Sequence, residues 1–214
     1  MPVVYVYQGS PAFYLAHVDP TGSSLSEMYA QLWRFTSVLV LFFAVPALAY
    51  RLGARRPLCE LGLRLGDWKA GLRIVAPAVL LLAPLLWLSS ADPAFLREYP
   101  LSRVAAATAG RLVGYELAYG AYYFGWEFLF RGALQLGLRR RFGAVGACMI
   151  QLGPSVLLHI GKPVGETWGA VVAAPLFGAL AIRTGSFLPL FLLHWAIGVL
   201  NDLMCALRQG LIAW

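Results

Sequence analysis

The chain has 214 residues, 60% of them hydrophobic and 13% charged, with a net charge of +7 and a mean hydropathy of +0.69. A soluble domain carries about 25% charged residues, so a water-soluble globule is excluded. Disorder is excluded with it, because disordered chains are poor in apolar residues, and three cysteines (Cys59, Cys148, Cys205) in no metal-ligand spacing exclude a disulfide scaffold.

What remains is an all-α polytopic transmembrane bundle whose first partner is the lipid bilayer. Residues 1–28 form a tail. Lys and Arg are missing as far as Trp33, so the basic start of a secretory signal is lacking and the first apolar segment is expected to be retained. A spanning helix needs about 20 mostly apolar residues, and about six stretches qualify: 29–50, 73–90, 108–138, 142–160, 166–182 and 187–207. Residues 61–67 read as a short interfacial piece before the second span. No repeat or linker divides residues 29–214, which read as one domain.

The basic residues give the orientation. The first, third and fifth connections carry ten Lys and Arg, and the remaining connections and termini carry four. Positive-inside bias puts the odd connections in the cytoplasm and both termini outside. The positive charge is thereby assigned to topology rather than to nucleic acid.

Ionisable groups within apolar segments are costly and face the protein interior. Two of the three histidines, His159 and His194, lie in such segments. Glu127 and Arg131, four apart, share a helix face and can pair; self-neutralisation is one reading of that pair. Glu116 shares their face but lies about 16 Å away along the axis, so it is expected to be structural, paired with Arg111 or Lys162. A carboxylate and two histidines on different helices offer a general base with oxyanion donors, or a metal site of Glu127, His159 and His194 with zinc as the candidate ion. Asn201 and Asp202 follow His194 by two turns, and either can support it. Measured from Arg139 and Arg141, Glu127 lies about 18 Å deep and His159 about 27 Å. A break at Gly153-Pro154 would bring the two level.

Trp126-Glu127-Phe128-Leu129-Phe130-Arg131-Gly132 resembles the first motif of the CAAX-protease and bacteriocin-processing (CPBP, or Abi) intramembrane protease family, Glu-Glu-x-x-x-Arg, often followed by Gly. Ser155 to His159 holds the place of the second motif and His194 that of the third, so the resemblance covers residues 108–207. Three positions depart from the pattern. Trp126 replaces the first Glu, Ser155 a Phe, and Gly198 an Asn.

The resemblance implies an intramembrane endopeptidase in a bacterial inner membrane, acting on a membrane-associated peptide or protein. Glu127 would be the general base, held ionised by Arg131. His159 and His194 would position water or stabilise the oxyanion. Chemistry requiring no cofactor is favoured over zinc bound by the same three residues. Because Trp126 stands where the activating Glu belongs, a catalytically inactive scaffold, immunity or partner-binding protein is the alternative. A small transporter comes third, weakened by the lack of internal repeats.

Overall fold

The computed structural model describes residues 1–212, whose regular elements are all helical, with no strand among them. Helix α1 (Pro2–Tyr7) precedes the long α2, which starts at Ser26 and runs through π-helical turns to Ala54. Then come α3 (Trp68–Ser89), the short α4 (Pro93–Glu98), and α5 (Ala109–Glu127) with a π-helical extension over Phe128–Leu136. The bundle closes with α6 (Gly137–Leu157), α7 (Val164–Thr184) and α8 (Leu188–Arg208). Four helices are long and apolar enough to cross a membrane: Ser26–Ala54, α3, α7 and α8. The chain is an integral membrane protein. The other two expected spans are the polar ones, α5 with its buried charges and α6 with its run of arginines.

Membrane helices gain little from hydrophobic burial against one another and associate through close backbone approach at small residues. Gly125 of α5 lies against α2, where an added Cβ would come within 2.8 Å of the Val38 carbonyl oxygen. Gly71 of α3 admits Pro189 of α8 in the same way. Between α2 and α5 sits an aromatic core of Phe35, Phe42, Tyr115, Tyr119, Tyr122 and Trp126.

Three expectations about local structure change. The spans 108–138 and 142–160 put their connecting turn at Arg139–Arg141, but the chain stays helical through those arginines. It breaks at Gly143, with φ 72° and ψ 178°, a conformation that only glycine adopts without strain. The helix does not break at Gly153-Pro154; it continues through Pro154, and His159 lies in the turn beyond its end at Leu157. Of residues 61–67, Leu61 and Gly62 are buried, Arg64–Asp67 are exposed, and the Ser186 hydroxyl donates to the carbonyls of Gly62 and Arg64. The first residues are folded too, since α1 inserts Tyr5 against Phe42 at 5.2 Å between ring centroids.

The position of Gly143 removes the depth conflict. Glu127 and His159 each lie sixteen residues from it, about 24 Å along either arm of a helical hairpin.

Candidate active site

Glu127 ends the regular part of α5 and is fully buried. Its Oε1 faces His194 Nδ1 at 2.6 Å and accepts from Arg131 Nη1 at 3.3 Å, across one helical turn. A carboxylate only accepts, so His194 carries its proton on Nδ1 and keeps a lone pair on Nε2. His159 is tied in the same manner. Its Nδ1 donates to the Ser155 carbonyl at 2.8 Å, which leaves Nε2 as the acceptor. Both imidazoles thus present Nε2, and neither Nε2 is bonded to a described residue.

The two rings share the wall of a cavity of about 300 Å³ lined by residues of α3, α5, α7 and α8 and by Ser155 near the end of α6. Arg131 and Asn201 also line it, and Leu82, Leu86, Phe177 and Ile197 make much of it apolar. Arg131 is buried, with its guanidinium 5.2 Å from the Phe177 ring centre. Asn201 has an Oδ1 without a partner among the described residues. Asp202 turns away, accepting from the Leu101 backbone N–H at 3.3 Å. Of the two residues proposed to support His194, Asn201 faces the cavity. Glu127 does not line this cavity and stands behind His194.

Trp126 packs against both histidines. Its indole is perpendicular to His159 at 5.4 Å and to His194 at 6.4 Å, and it stacks on Tyr122 at 5.7 Å. At Gly198, the departure in the third motif, an added Cβ would collide with Tyr123. The Tyr123 ring fills that space 4.5 Å from His194, a contact that single-residue reading missed, although Tyr115, Tyr119, Tyr122 and Tyr123 repeat at helical spacing. Glu116 does not pair as expected. Lys162 binds Glu98 at 2.5 Å, Arg111 bonds Thr108, and both Glu116 oxygens lack partners among the described residues.

Residues 112–200 match the family model described as Type II CAAX prenyl endopeptidase Rce1-like. This stretch is Rce1-like. The match is consistent with the CPBP resemblance and contains Glu127, Arg131, His159 and His194. It is generally a protease family, so it suggests an intramembrane endopeptidase. No curated protein and no solved structure matches the chain.

The donor set of the zinc alternative can be tested on the same geometry. Among the described residues, no group of three or more His, Cys, Asp or Glu side chains is placed to hold a metal ion. Glu127 spends an oxygen on His194 Nδ1, and the Trp126 ring stands against both imidazoles. As they lie, Glu127, His159 and His194 do not form such a group.

Proposed function

We propose that the protein is an intramembrane endopeptidase in which His194, oriented by Glu127, activates water against a peptide bond of a membrane-associated substrate. The observation that supports this reading is the 2.6 Å contact of His194 Nδ1 with a fully buried Glu127, on the wall of a cavity that also holds His159. A direct base must reach its proton at about 2.6–3.2 Å or through one water. Glu127 reaches the cavity only through His194, so its part is to fix the tautomer and to stabilise the imidazolium as it forms.

The steps follow from the groups on the wall. A water held between the Nε2 atoms of His194 and His159 gives a proton to His194 while its oxygen bonds to the carbonyl carbon. The carbonyl π electrons move to oxygen, where N–H donors of Arg131 and Asn201 stabilise the developing charge. The C–N bond then breaks, and the leaving amine takes the proton from His194 Nε2. The products are an acid and an amine, with Glu127 ionised throughout.

Co-expression with membrane-tethered candidate substrates, with cleavage read as a mass shift, tests this. A cut lost in His194→Ala supports the assignment. The scaffold alternative rests on Trp126, and it gains the ground if no substrate is cut by the natural chain while Trp126→Glu confers cleavage.

A further inference from the structure

A second, smaller chamber of about 20 Å³ adjoins the main cavity. Both chambers are bordered by Tyr99, Tyr123, His159, Glu166 and His194. His159 and His194 of the proposed site thus stand on the border of both. The smaller chamber has a different chemistry, with Arg34 and Lys162 in its wall among tyrosines. It has room for one small polar group, since about 10–15 Å³ of such volume holds a water.

The charges around this chamber are not equivalent. Lys162 is bound to Glu98, and the Glu166 carboxylate accepts from the Tyr99 hydroxyl at 2.8 Å. Arg34 has no carboxylate within 4.0 Å among the described residues. Its Nε donates to the Tyr5 hydroxyl at 3.1 Å and its guanidinium lies 5.8 Å from the Tyr122 ring centre. A guanidinium has five N–H donors, so most of the fork is unused by protein. A planar fork of donors beside a small chamber suits a carboxylate, which it can bind in bidentate fashion.

We propose that Arg34 is a specificity-determining residue whose guanidinium binds a carboxylate of the substrate in the smaller chamber, while an apolar side chain of the same substrate fills the larger one. That the ligand is a peptide rests on the peptidase reading; that it is a carboxylate rests on Arg34 and the chamber alone.

Binding tests this without any cleavage. Full-length protein in nanodiscs is titrated with N-acetyl-leucine and with N-acetyl-leucinamide, which differ in the carboxylate. The acid is expected to bind at least tenfold more tightly, and Arg34→Gln to bring the ratio within twofold. Arg34→Met, which keeps the apolar stem, serves if the Gln variant does not fold. Tyr5→Phe releases Nε without removing the cation and should keep the tenfold ratio. N-acetyl-glutamyl-leucinamide then separates the sources. An equal advantage for this probe assigns the carboxylate to a side chain, and an advantage for the free acid alone assigns it to a chain end.

Equal binding of acid and amide, a ratio unchanged in both Arg34 variants, or no binding of either probe overturns the proposal. If the ratio and its dependence on Arg34 hold while every co-expressed substrate stays uncut, the subsite stands and the peptidase reading falls.

Discussion

The Trp126 indole meets the His159 imidazole at 88° between planes, at the position where the resembled motif carries its first glutamate. The α5 helix is therefore not rotated to give Glu127 the place of that residue. Trp126 keeps it, and Glu127, about 100° further round the helix, works from behind His194. Trp126→Phe keeps an aromatic ring against Tyr122 and Phe130 and should retain cleavage. Trp126→Ala should lower stability by about 3–5 kcal/mol, because it leaves a cavity in a packed core. Trp126→Glu should reduce cleavage, since it removes the packed indole and buries a second carboxylate beside Glu127. Thermal unfolding in detergent and the co-expression assay read these outcomes, and cleavage that appears only in Trp126→Glu would identify a lapsed protease.

Glu127 and Arg131 should separate in what they lose. Glu127→Gln keeps an oxygen to accept from His194 and Arg131 but removes the charge that stabilises an imidazolium. It should lower kcat by about 10²–10⁴-fold, the range for a general-base device, with KM nearly unchanged. A merely structural Glu127 would instead shift stability and leave kcat of the folded fraction intact. Arg131→Ala strands a buried carboxylate and should cost about 3–5 kcal/mol. Unfolding curves that rank Glu127→Gln below Arg131→Ala would contradict the pairing argument.

The parts of the site that could be read from the chain are those set by helical spacing. Glu127 and Arg131 are four apart on one helix, and they pair. Asn201, seven residues after His194, falls within about 20° of its face at 100° per residue. Asp202 falls about 80° off, and Asn201 is the one that reaches the cavity. The level of His159 could not be read, because it depends on where a hairpin turns. Three consecutive arginines look like a connection, yet helix tolerates arginine well, and the turn needs the positive φ of Gly143 two residues later. Arg34 sits near the start of the first apolar segment. Its role as an unpaired cation depends on Glu98 engaging Lys162 and Tyr99 engaging Glu166, pairings across more than sixty residues that no local pattern encodes.

The orientation has a probe already in the chain. Cys59 is exposed in the first connection, Cys148 is half-buried and Cys205 is buried. The ten-to-four distribution of basic residues predicts a cytoplasmic position for that connection. A membrane-impermeant maleimide added to sealed right-side-out vesicles should leave Cys59 unmodified and label it after the membrane is opened, with Cys59→Ser as the control. Reporter fusions at Arg55 and after Trp214 should place those points on opposite sides. Labelling of Cys59 in sealed vesicles would invert the arrangement, and a cytoplasmic C-terminus would remove the even number of spans.

Gly143 should matter more to the site than its distance from it suggests. Its φ of 72° with ψ of 178° belongs to a region that costs other residues about 1–3 kcal/mol. An added Cβ meets nothing within 4 Å, so any loss in Gly143→Ala is backbone strain and not a clash. Gly153 is the matched control, because its Cβ would also meet open space but it sits in helical backbone. Gly153→Ala should therefore stabilise by up to about 1 kcal/mol, through helix propensity. Gly143→Ala should destabilise by about 1–3 kcal/mol. It should also lower cleavage in the folded fraction, since the same hinge sets how far His159 rises toward Trp126 and His194. Equal responses of the two variants, in unfolding temperature and in cleavage, would mean that the hairpin geometry at Gly143 does not position His159.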